Sequence, residues 1–176
     1  MSTLKLCKII HAIWSSPQHH KQWHEEVDAA HCDSTGKLEE IVKMVILDVW
    51  TQWASTHQMC ECVLQYCAVI DSYVAKVKPL RDYEMNANDW MSIQLVTKFL
   101  KTFCTATTQM SATKKPLLST THTIFKGLQD DLAKFMKDLP NNAPPKLMLA
   151  LLGSHCKLND YFFKFDLLHY IWSICE

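Results

Sequence analysis

The sequence predicts an all-α fold, an irregular bundle of about seven or eight helices in a single domain over residues 1–176, with at most a short extended segment near 45–50. Three observations carry this expectation. The 176 residues include only 3 Gly and 6 Pro, too few for the turns of a β-rich architecture. Met59, Val63, Tyr66, Ile70, Tyr73 and Val77 recur at alternating steps of four and three, which draws one apolar stripe along a helix. Break signals such as Ser16-Pro17, Asp33-Ser34-Thr35-Gly36, Pro79 and Pro144-Pro145 are separated by helix-length stretches.

The elements follow in order. Ser2 can cap a first helix that runs to about Trp14. Ser16 followed by Pro17 joins a favoured N-cap to a proline at the first helical position, and so opens a second. A short third segment is expected over 38–47, finishing as an extended piece. The long apolar stripe from Met59 to Val77 makes the fourth helix, with Cys60, Cys67 and Val74 beside it, and Pro79 ends it. A turn of helix over 80–84 leads to a cap at Asn88 or Asn86. The fifth helix then places Trp90, Ile93, Val96, Leu100, Phe103 and Met110 on one side and leaves Lys98 and Lys101 for the other. After a loop over 113–116, a sixth helix spans about 119–138. A second loop over 140–145 precedes a seventh helix reaching Phe163, and the apolar residues 167–175 form a last helical segment.

Composition narrows the function classes. With 48% hydrophobic and 20% charged residues the chain suits a domain able to bury a core. Apolar runs such as 41–50 and 147–152 fall short of the roughly 20 residues of a bilayer helix, so no membrane partner is expected. Met1-Ser2-Thr3-Leu4-Lys5 does not read as the start of a secretory leader, so the chain is expected to stay inside the cell. Eight cysteines include no Cys-x-x-Cys pair, and Cys60 and Cys62 fall on nearly opposite sides of a helix, as suits reduced thiols. His20 and His24 have the i, i+4 spacing of a zinc pair, with His31 and Cys32 further on. Yet no local sequence fixes a third ligand, so a solvated helix face is the plainer reading and no metal is assigned. Gly153-Ser154-His155-Cys156 lacks the second glycine of a nucleophile elbow, and no glycine-rich phosphate loop occurs. No catalytic residue, cofactor or small-molecule substrate is expected.

The stretch Leu47-Asp48-Val49-Trp50-Thr51-Gln52-Trp53-Ala54-Ser55-Thr56 resembles the hAT-transposase signature, in which Asp-Val precedes Thr-Arg-Trp-Asn-Ser-Thr and opens a long helix. Further landmarks follow in the order of fungal-type members of that family. They are Ser15-Ser16-Pro17-Gln18, Pro79-Leu80-Arg81-Asp82-Tyr83-Glu84, Asp89-Trp90, Phe99-Leu100-Lys101-Thr102-Phe103, Lys115-Pro116-Leu117-Leu118-Ser119 and Lys157-Leu158-Asn159-Asp160-Tyr161-Phe162. The resemblance covers nearly the whole chain and implies the family's helical insertion domain without its RNase-H-like core. In hAT transposases two aspartates lie before this region and a glutamate well after it, and these carboxylates hold the two metals of phosphoryl transfer. The resemblance therefore implies a chain that is not itself an enzyme.

What the resemblance implies for binding is weak DNA contact. Trp53 either stacks near a distorted DNA end, as in the family, or anchors the core. Gln52 and Ala54 stand where the family has Arg and Asn, and an amide does not replace the charged fork of a guanidinium. Charge points to the second half of the chain. Residues 1–90 carry eight Lys+Arg against twelve Asp+Glu, a net of −4, whereas residues 91–176 carry ten against six, a net of +4. No acidic residue lies between Asp89 and Asp130, where Lys98, Lys101, Lys114, Lys115 and Lys126 fall. Trp53, Lys98, Lys101, Lys114 and Lys115 are thus the candidate nucleic-acid-binding residues. Arg81 is the only arginine, which argues against base reading through guanidinium forks. A second class is an interaction module that pairs with itself or with intact transposase subunits through Phe162, Phe163, Leu167, Leu168, Tyr170, Ile171 and Trp172. Functional transposase ancestry would imply the nucleus.

Overall fold

Leu6, Ile9, Ile10 and Ile13 lie on one face of the first helix, α1 (Ser2–Ser15), and all four are buried. The computed structural model that shows this describes residues 2–31, 53–112, 118–141 and 143–174, of which 31, 53, 112, 118–120 and 165–174 by backbone alone. Ser2 does not act as the expected cap: it lies within the helix, and its hydroxyl donates to Asp89 at 2.6 Å. The second start is as expected. Ser16 Oγ accepts from the His19 N–H at 3.1 Å, the Ser16 carbonyl accepts from His20, and Pro17 is the first residue of α2 (Pro17–His31). The expectations for the break at 33–36, the segment at 38–47, the extended piece near 45–50 and the loop at 113–116 lie outside the described residues.

The long fourth helix is in fact two. α3 (Trp53–Gln65) and α4 (Cys67–Lys76) meet at Tyr66, whose φ of −114° and ψ of 19° leave the helical well. The Tyr66 N–H reaches three residues back to the Val63 carbonyl at 2.9 Å, and the Cys67 thiol donates to the Leu64 carbonyl at 3.2 Å. Those bonds occupy carbonyls that an unbroken helix would use for its own ladder. The apolar stripe nevertheless continues across the break, because Met59, Val63, Tyr66, Ile70 and Tyr73 are all buried. Pro79 then stops α-helix as expected, and a 3-10 helix (Lys78–Tyr83) follows, with Arg81 donating twice to the Ala75 carbonyl at 3.3 Å.

Asn86 is the cap of α5 (Ala87–Ala112). Its Oδ1 accepts from the Asp89 N–H at 2.8 Å while Asp89 Oδ2 accepts from the Asn86 N–H at 3.3 Å, the reciprocal arrangement of a capping box. The face of α5 differs from the expected one. Ile93 is buried as foreseen, but Leu95 and Phe99 are buried where Val96 and Leu100 are only partly so, and Met110 is exposed. A single helical stripe does not describe this helix, since Ile93 belongs to one core and Phe99 to another.

Two compact units result, Met1–Thr97 and Lys98–Glu176. In the first, α1 packs on α2 and α2 on α4, with the 3-10 helix against α1 and α4. Its core centres on Trp23, whose ring meets Tyr73 edge-on at 5.7 Å and Tyr66 at 6.1 Å. Each such pair contributes roughly 0.5–1.5 kcal/mol beyond the area it buries. Asp89 joins the beginnings of α1 and α5 through Ser2 and through Lys5, whose ammonium lies 2.9 Å away. In the second unit, α6 (Leu118–Lys137) packs on α7 (Pro145–Ile174), burying Leu128, Leu132, Leu151 and Leu158 with Phe99. Pro144 caps α7 by its carbonyl and Pro145 begins it. α7 does not stop at Phe163 but continues to Ile174, as no Pro or Gly between 154 and 174 interrupts it. Among the described residues there is no strand, so the fold is all-α.

Candidate nucleic-acid interface

Lys98 and Lys101 lie one turn apart on α5, on the side left when Phe99 and Phe103 turn inward. Phe99 fixes that orientation: its ring meets Phe103 at 5.1 Å and Phe135 of α6 at 5.9 Å. Both lysines are exposed and line a groove of about 400 Å³ between α5 and α6, inside the second unit. Thr102, Thr105 and Gln109 continue the α5 wall at helical spacing, and Thr123, Gly127 and Asp131 line the α6 wall over an apolar floor of Ala106, Ile124 and Leu128. Neither Lys98 nor Lys101 has an ion pair among the described residues. Lys126 is different, with its ammonium 3.5 Å from Asp130 one turn on. The Thr105 hydroxyl donates to the Lys101 carbonyl at 3.0 Å, which leaves its oxygen able to accept.

Such a groove offers two fixed-sign charges and a row of neutral hydrogen-bonding groups, the chemistry that follows a phosphate chain without reading bases. Asp131 on the opposite wall works against an anion there. Of the residues singled out from the sequence, the structure brings Lys98 and Lys101 together. Trp53 is the first residue of α3 and its side chain lies outside the described residues, as do Lys114 and Lys115. Thr102, Thr105, Gln109 and Asp131 were not anticipated. The threonines and Gln109 repeat with Lys98 at steps of four, three and four, a readable signal, whereas nothing local announces that α6 closes the other side.

The first unit has a cleft of about 420 Å³ with a different balance. Glu26 there accepts from Ser72 at 3.0 Å and is paired with Lys76, so the charges satisfy each other. At its wall the Tyr73 hydroxyl reaches the His19 carbonyl at 3.5 Å, and burial pushes that phenol up to about 12. The histidines considered for zinc pack by their rings: His20 lies 4.6 Å from His24, edge to face, and 5.7 Å from Trp14. Among the described residues no group of three or more His, Cys, Asp or Glu converges on a metal position. Six cysteines, Cys7, Cys60, Cys62, Cys67, Cys104 and Cys156, form no disulfide.

The first unit is an all-α domain built on a Trp-centred core, and it carries the Ser16-Pro17 and Asp89-Trp90 landmarks. The chain belongs to the family of the ZBED1 RNase-like helical domain, whose model matches residues 3–99, more than half of its length. That family is related to the hAT transposases, and the matched segment nearly coincides with the first compact unit. Comparison with curated proteins and with solved structures gave no match. Among the described residues no helix is long and apolar enough to cross a membrane.

Proposed function

We propose that this chain is a catalytically incompetent helical domain of hAT-transposase descent, of the fungal type, that touches DNA weakly and without sequence preference. The observation that carries the DNA contact is the pair Lys98 and Lys101, exposed, unpaired among the described residues and set on one rim of a groove with hydroxyl and amide neighbours. Trp53, Lys114 and Lys115 belong to the same proposal on sequence grounds, and work on DNA would place the protein in the nucleus. Incompetence rests on the match to a helical domain, the part that in hAT transposases stands apart from the metal-holding carboxylates.

Two lysines that displace two condensed counterions give a salt slope of about −1.8 on duplex DNA, so affinity drops about tenfold between roughly 50 and 200 mM salt. Fluorescence anisotropy on a hairpin-ended duplex is the direct test. Binding in the high-micromolar range at low salt is expected, lost in Lys98→Glu/Lys101→Glu and tightened several-fold in Asp131→Asn, with no nicking when magnesium is added. Absence of binding at low salt, or binding indifferent to the double substitution, removes the DNA reading, and magnesium-dependent cleavage removes the incompetence.

A further inference from the structure

The second unit turns another surface outward, unlike the lysine groove. α7 sends Leu151 and Leu158 into the core, while Lys146, Leu149, Gly153, Cys156, Asp160 and Phe163 are exposed. These six are spaced by alternating threes and fours, so at about 100° per residue they share one stripe roughly 100° wide. Leu149 is 70% exposed and Phe163 67%, large fractions for such side chains. Beside the stripe, Met136 and Leu139 join Met148, Leu149 and Leu152 around an open apolar groove of about 470 Å³. A helix with apolar residues on both its inner and outer faces is a helix with a further partner.

The charges on the stripe say which partner. Lys146 and Asp160 are exposed, and neither has an ion pair among the described residues. Each lies seven residues from Gly153, about 10 Å along the axis and on opposite sides of it. A two-fold axis through Gly153 therefore lays Lys146 of one copy against Asp160 of the other, at both ends at once. A parallel arrangement would set Lys146 against Lys146. Gly153 itself has open space where a side chain would begin, so two helix backbones can come close at the crossing. The antiparallel sense also carries the exposed Phe163 of the second copy towards the Leu139 end of the apolar groove.

We propose that two copies of this chain pair through α7, antiparallel and two-fold about Gly153, with Leu149 and Phe163 as apolar contacts and Lys146 to Asp160 as the matching charges. Light scattering and sedimentation equilibrium on the full chain test it. A dimer is expected at about 100 µM. Lys146→Glu and Asp160→Lys should each weaken it about tenfold, since each replaces two attractions by two repulsions. Mixing the two single variants, or combining both changes in one chain, should restore it. Gly153→Leu should separate the copies while circular dichroism shows the helix content unchanged. A monomer at that concentration, a dimer untouched by both charge reversals, or an open-ended series of larger oligomers overturns the proposal.

Discussion

Asp89 ties two helix beginnings together in the first unit. It accepts from Ser2 and Lys5 and completes the cap of α5. Burial raises its carboxyl, but the bonds from Ser2, Lys5 and the Asn86 backbone, with the charge of Lys5, outweigh that and hold it below the ordinary carboxylate value. A carboxylate held down in the folded state stabilises fully above its unfolded value near 4, and that contribution is lost as pH falls through the lower folded value. Asp89→Ala should therefore cost about 1–3 kcal/mol in urea unfolding at neutral pH. The loss should shrink towards zero in strong acid, and a loss that stays constant down to pH 2 would separate Asp89 from the acid sensitivity. At this scale the sequence told much about charge and little about partners. The acid-free stretch around Lys98 and Lys101 is visible in the chain, but Asp131, which faces the same groove, is thirty residues away and joins it only through the packing of α6.

At the scale of elements, the boundaries marked by proline or by an Asn or Ser-Pro cap were legible, whereas the start at Ser2 and the break at Tyr66 were not. Ser16-Pro17, Pro79, Asn86 and Pro144-Pro145 each act through their own backbone chemistry, which travels with the residue. The interruption at Tyr66 has no such marker, because the apolar stripe runs through it at unbroken spacing and the bonds that open it come from an N–H and a thiol. The face of α5 was misread for a related reason: periodicity assumes one core, and this helix serves two. α6 offers a test of intrinsic preference. Gly127 sits exposed in mid-helix, and an added Cβ would meet nothing within 4 Å. Gly127→Ala should raise stability by up to about 1 kcal/mol through backbone entropy alone, read as a higher urea midpoint with the slope unchanged. A lower midpoint would mean the groove wall needs the gap.

Across the molecule the two cores are unequal. Among the described residues sixteen buried side chains cluster in the first unit, several without any exposure, against five in the second. Local stability follows such burial, so in native-state hydrogen exchange the amides of α4 should open at a higher free energy than those of α6 and α7. Equal protection throughout would show one cooperative block. Helix content and the absence of strands among the described residues were readable from glycine scarcity and spacing. The boundary between the two compact units carries no marker in the chain: no proline, glycine or polar run falls at residues 97 and 98.

That unmarked partition falls within α5, and so does the last residue of the family match, 99. A splice placed there would sever a 26-residue rod near its middle and strip the last turn before the cut of its acceptors' donors. A segment joined at that point would have to begin as helix to supply those donors again.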